Sequence, residues 1–203
     1  AEQRRIVAND RLETTLETAT RFVNQTVKMS DRFGVPSAFV VELLKEPEQV
    51  FLALMEEDTG RLEVRRKYAQ TLLDFSDNYE VLGDSALRLQ RLGEAERILA
   101  DLVQKDATQP EWQFVLATAR SKIGTTHLFR GDKAAAEAKY QQSLDIRRRL
   151  AEARPDDRNY QRYYSVALNR MGEVSISLGR YAQARDFIGR ARDIRSRLLT
   201  GSP

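Results

Sequence analysis

The chain has 203 residues, 41% of them apolar and 31% charged, with no cysteine and one histidine. That composition excludes a disulfide scaffold, a thiolate metal centre and a zinc site made of histidines, and it suits a folded protein of two-faced helices. Net charge is +3 but uneven, since thirteen arginines stand against seven acidic residues from Asp145 onward while the rest is slightly acidic. No apolar run approaches the ~20 residues that span a bilayer. The opening AEQRRIVAND lacks the apolar core of an export signal, so a cytoplasmic location is expected. The first residue is Ala1; an excised domain and loss of an initiator methionine before a small residue fit equally well.

In chain order, Glu2 to about Met29 has Ile6, Leu12, Leu16, Ala19, Val23 and Val27 at helical steps, uninterrupted by Gly or Pro. Gly34 and Pro36 then break the chain. Ser37 to about Glu57 follows as a second helix, kinked or divided at Pro47. Residues 1–58 are therefore expected to form a helical hairpin that caps the later helices. Arg61–Leu82 and Ser85–Lys105 make the next pair, with Gly83-Asp84 between them. Trp112–Phe129 pairs with Asp132–Ala153, and Arg158–Leu178 with Tyr181–Leu199. Asp132 is the expected N-cap of its helix, and TGSP is a frayed tail.

The later pairs are one segment written twice. Gly124, Gly131, Ala136, Asp145-Ile146-Arg147 and Leu150 match Gly172, Gly179, Ala184, Asp193-Ile194-Arg195 and Leu198, each at an offset of 48. A fixed period of tens of residues marks a repeat architecture, in which each unit buries its apolar face against its neighbours. Residues 59–106 are a faded copy, with Arg88 where the later copies have Ala136 and Ala184. Gly124 and Gly172 fall mid-helix, where glycine costs about 1 kcal/mol relative to alanine; a close helix crossing accounts for both. Gly131 and Gly179 fall where a first helix must end in a left-handed residue. Ala136 with Tyr140, and Ala184 with Ile188, place a small and a large residue four apart on one face. The boundaries read as 1–58, 59–106, 107–154 and 155–203.

The pattern Gly124-x-x-His127-x-x-x-Gly131-x-x-x-x-Ala136-x-x-x-Tyr140-x-x-Ser143, echoed from Gly172 to Ala191, resembles the tetratricopeptide repeat, here with a period longer than the usual ~34. It is similar to the long-helix variety of kinesin light chains and of many bacterial multidomain proteins. The resemblance implies an all-α, right-handed solenoid of antiparallel helix pairs. It also implies a non-catalytic interaction module or scaffold within a larger bacterial signalling or effector protein. First helices would line a groove for a peptide or partner helix. On this chain the implied groove residues are Gln70, Leu73, Asp77 and Glu80, then Thr118, Ser121, Thr125 and Leu128, then Val166, Asn169 and Glu173. Asn169 is the leading choice, because an amide there would bond an extended backbone.

Other residues have competing readings. His127 has no second ligand and falls at a packing position. Acidic pairs such as Glu56-Glu57 and Asp156-Asp157 sit at helix ends, where charge suits the terminus. The DIRRR and DIRSR runs suit either an acidic partner or arginines whose stems cover apolar neighbours. Trp112, Tyr160, Tyr163 and Tyr164 suit packing between repeats. No catalytic, metal or cofactor constellation is expected. Phe187, Ile194 and Leu198 of the last pair are expected to form an uncovered edge for self-association. Nucleic-acid binding through the arginine-rich repeat is the alternative. The balanced overall charge disfavours it, and steep salt dependence would mark it.

Overall fold

The computed structural model describes residues 62–200, with isolated positions before them (18, 21, 25, 32–34, 36, 39 and 42). The expected N-terminal hairpin of residues 1–58 lies, those positions apart, outside the described residues. Residues 62–200 form six α-helices and no strand: α1 (Leu62–Val81), α2 (Ser85–Lys105), α3 (Pro110–Phe129), α4 (Lys133–Ala153), α5 (Arg158–Ser177) and α6 (Tyr181–Thr200). Two units divide the chain, Ala1–Ile98 and Leu99–Pro203, and the division passes through α2.

In the first unit, α1 buries Tyr68, Leu72, Phe75 and Tyr79 at three- and four-residue steps, as one face of a helix does. Tyr68 Oη donates to Glu94 Oε1 on α2 at 3.0 Å. Arg88 Nη2 donates to Glu80 Oε2 at 2.6 Å. Arg88 is buried, and its Nε has no hydrogen-bond partner. This pair is thus tied by a charge at the register where the later pairs hold alanine.

In the second unit, α3 lies antiparallel to α4 and α5 to α6, and α4 packs on α5; α3 touches α5 only lightly. The result is an all-α solenoid of stacked helix pairs. Its turns share one geometry. Gly131 (φ +84°) and Gly179 (φ +74°) take the left-handed conformation, as Gly83 (φ +75°) does in the first unit. In the α3–α4 turn, Gly131 N–H donates to Leu128 O and Asp132 N–H to His127 O. This double closure caps the last carbonyls of a helix. Asp132 then accepts from Ala135 N–H and opens α4. Asp157 opens α5 in the same way, accepting from Asn159 and Tyr160 N–H. α3 starts two residues before the expected Trp112, at Pro110, since proline fits a helix's first turn. Thr200, expected in the frayed tail, is the last residue of α6.

Gly124 and Gly172 sit where α3 meets α4 and α5 meets α6. A Cβ on Gly124 would lie 2.7 Å from the Tyr140 ring and 3.2 Å from Ala136 O. On Gly172 it would lie 2.7 Å from Ile188 Cγ1 and 3.6 Å from Ala184 O. Each glycine therefore receives a large side chain from the partner helix; backbone approaches tightly only at Gly124.

The core of the unit joins α4, α5 and α6 through Ala136, Tyr140, Leu144, Leu168, Met171, Val174, Ala191 and Ile194. α4 is buried on two stripes. Ser143, Ile146 and Leu150 form one, and Ser143 Oγ donates to Ala117 O on α3 at 2.7 Å. Tyr140, Leu144, Arg147 and Ala151 form the other, turned toward α5, with Tyr140 and Arg147 also reaching α3. α6 buries only Ala184, Ala191 and Ile194.

Candidate partner-binding face

The first helices α3 and α5 carry the face expected to receive a partner. Phe114 on α3 meets Tyr163 edge-on, with centroids 4.6 Å apart, and Tyr160 at 6.2 Å. These rings join successive repeats, as expected of the tyrosines, and favour such tilted geometries. Tyr164 instead accepts a hydrogen bond from Arg190 Nη2 at 2.9 Å.

Beneath this face lies Arg147, only 4% exposed. Its Nη1 donates to Tyr163 O at 3.3 Å and its Nη2 to Thr118 Oγ1 at 3.4 Å, while Nε finds no partner. The guanidinium also stands over the Tyr163 ring, 5.4 Å from its centroid. No carboxylate among the described residues pairs with it. Burial pushes its pKa down to about 10, so it remains cationic at neutral pH.

The expected groove residues have different surroundings. Ser121, Val166 and Asn169 are half-buried on the α3 and α5 stripe. Thr118 and Thr125 share that stripe but are bound within their own pair. Thr118 accepts from Arg147, and Thr125 accepts from Tyr140 Oη at 3.0 Å. Each threonine also donates to the carbonyl one turn back. Leu128 is half-buried and packs against the core. Asn169, expected there for its amide, accepts from Arg195 Nη2 through Oδ1 at 3.3 Å, which leaves its NH2 group to present. Glu173 is exposed and pairs with Arg170 at 2.8 Å. On α1, Gln70 is exposed and bonded to Asp74, Asp77 is exposed, Leu73 is fully buried, and Glu80 is held by Arg88.

The expected self-association edge is not an open one. Ile194 is buried in the core, and Phe187 and Leu198 pack half-buried against it. The helical period places these three on one stripe with Ala184 and Ala191, which α5 and α4 already cover. The more exposed stripe of α6 carries Ile188, Arg192, Arg195 and Leu199, of which Ile188 still rests against Gly172 and Arg195 reaches Asn169.

The DIRRR run holds three roles within one helical turn. Arg147 points under the first-helix face. Arg148 is solvent-exposed between Asp145 and Glu152, at 3.8 and 4.0 Å. Arg149 turns toward α2 and α3, beside Ile146 and Leu150. Composition could not separate them; only steps of about 100° per residue do. His127 is half-buried, with Nδ1 3.5 Å from Asp132 Oδ2 across the turn. Among the described residues no group of His, Cys, Asp and Glu is arranged to hold a metal ion, and no helix is long and apolar enough to cross a membrane.

The family model described as Tetratricopeptide repeat matches residues 116–158, from α3 through α4 to the start of α5. No curated protein matches the chain. Two solved structures are similar. One, a crystal structure of BtubC (BKLC) from P. vanneervenii, is 14% identical, covers 95% of this chain and 94% of its own, and has a TM-score of 0.33. The other, a crystal structure of MamA, is 16% identical, covers 76% and 90%, and has a TM-score of 0.32.

Proposed function

We propose that this chain, which carries a tetratricopeptide repeat, is a protein-interaction scaffold that holds a peptide or partner helix across α3 and α5. The observation that carries the reading is Arg147. A guanidinium taken out of water without a counter-charge is costly, and a well-packed apolar side chain would serve the fold better. Leu99, one repeat earlier at the same register, is such a residue and is fully buried. The cation supplies positive potential under the stripe of Ser121, Val166 and Asn169, which suits the carbonyls or carboxylates of a bound segment. In this reading the module is an arm of a larger bacterial signalling or effector protein working in the cytoplasm, as the sequence resemblance implies.

Nucleic-acid binding draws less support. Arg170, Arg180, Arg190 and Arg195 are engaged with Glu173, Glu137, Asp186 with Tyr164, and Asn169 respectively. Four of the thirteen C-terminal arginines are thus already engaged within the chain.

The chain has no cysteine, so single photo-crosslinkers can be placed on Ser121→Cys, Val166→Cys and the exposed control Ala138→Cys. Both first-helix positions should capture the same partner and the control none. Capture from Ala138→Cys alone would overturn the assignment.

A further inference from the structure

On the other side of α3 an open cleft of about 750 Å³ runs between the end of α2 and the end of α4. Its floor and walls are mostly apolar and include Val103, Leu116, Ile146 and Leu150. Arg120, Arg149 and Arg154 also line it, and no acidic residue does. Arg154 stands over the Tyr160 ring at 5.6 Å, which steadies it at the end of the cleft. Arg149 and Arg154 are exposed and Arg120 is half-buried.

The repeat shows why the seam opens here. One period later, Leu168 stands at the register of Arg120 and is fully buried in the core. Tyr164 stands at the register of Leu116, packs against that core and is held by Arg190. Between α4 and α6 a tyrosine and a leucine thus close on the stack. Between α2 and α4 the smaller Leu116 and the half-exposed Arg120 leave the seam open. The connecting loop is tied down differently as well. Gln161 Nε2 donates to Ala151 O, inside α4, whereas Gln113 Nε2 donates to Ala107 O, in the loop beyond α2.

We propose that this cleft docks an acidic, apolar-anchored segment of a partner protein. Leucine- or phenylalanine-sized side chains would sit against Val103, Leu116, Ile146 and Leu150, and flanking carboxylates would meet Arg149 and Arg154. The combination is specific to this chemistry. An apolar trough buries the anchors, and arginine forks bind carboxylates with two parallel hydrogen bonds. A volume of this size accepts a few side chains and not a folded domain. None of the lining residues belongs to the first-helix stripe, so the site is separate from the one proposed above.

The test is a random-peptide display library panned against the full chain, with affinities of the enriched peptides measured by fluorescence anisotropy. Enriched peptides should carry Asp or Glu around one or two large apolar residues. Arg149→Glu/Arg154→Glu should weaken them by about tenfold or more, as loss and reversal of paired charges does. Arg148→Glu, one residue away but outside the cleft, should leave them unchanged, as should Val166→Arg on the first-helix face. Arg149 and Arg154 are exposed, so the variants should melt as the wild type does. A library that enriches no acidic class overturns the proposal. So does weakening by Arg148→Glu equal to that by the Arg149→Glu/Arg154→Glu variant, which would mean unspecific attraction. Loss through Val166→Arg alone would assign the peptides to the first-helix face and likewise overturn it.

Discussion

The α3/α4 and α5/α6 pairs share one sequence pattern and one turn geometry, yet they are buried differently. Tyr140 is 1% exposed and its counterpart Ile188 is 39% exposed; Ala151 is 2% exposed and Leu199 88%. The cause is position in the stack. α4 has a helix on each side, and α6 has a described neighbour on one side only. A repeat position therefore has no burial of its own. It acquires one from what lies next along the array.

The sharpest way to break this comparison is truncation of the paired large residues. Tyr140→Ala should cost about 3–5 kcal/mol, the range for emptying a buried aromatic site. It also strips Thr125 of its hydrogen bond from Tyr140 Oη. Ile188→Ala should cost about 1 kcal/mol, because much of that side chain already meets water. Urea melts of the two variants would compare them directly, and equal losses would mean that the last pair is covered after all.

A smaller effect is expected at the glycines. Gly124→Ala would press a methyl group into a ring that is buried and hydrogen-bonded, so it cannot yield; the cost should be about 1–3 kcal/mol. Gly172→Ala meets an exposed isoleucine that can change rotamer, and the helix gains about 1 kcal/mol of propensity. It should be nearly neutral. A Cβ added to Gly93, in α2, would meet nothing within 4 Å, so Gly93→Ala should raise the midpoint by the propensity gain alone.

The last contrast concerns Arg147 and Arg195. Burial lowers the Arg147 pKa to about 10, below its unfolded value, so folding disfavours the cation. That cost is present in full at neutral pH and fades only as pH rises past about 10. Arg147→Met should melt at pH 7 no lower than wild type, and up to about 2 kcal/mol more stable once the lost cation–π contact is subtracted. Arg195→Met, on the exposed stripe, should change stability by about 0.5 kcal/mol or less. If Arg147→Met also weakens partner capture, the buried charge serves binding at the expense of the fold. A clear loss of stability would make Arg147 a structural residue instead.

Much of the fold is legible in sequence because its signals are local. Gly131 and Gly179 announce their turns, Asp132 its cap, and Gly124 and Gly172 their crossings, each through a backbone or steric requirement of that residue alone. The site is less legible. Thr118, Thr125 and Asn169 look in sequence like outward polar groups, yet Arg147, Tyr140 and Arg195 reach across from the second helices to bind them. Phe187, Ile194 and Leu198 look like an open edge, one stripe away from the more exposed one. A helical period narrows a face to a stripe, but a rotation of one residue, about 100°, exchanges the covered stripe for the bare one.

What the amino-acid order determined unaided is the repeat: its period, its helix pairs and the points where they turn and cross. Those depend on interactions within a few residues or on a glycine's missing side chain. Only the tertiary structure decided which arginine is buried, which stripe of α6 faces outward and which seam between helices stays open. Each of these depends on the neighbour that arrives from a full period away, and identical motifs meet different neighbours.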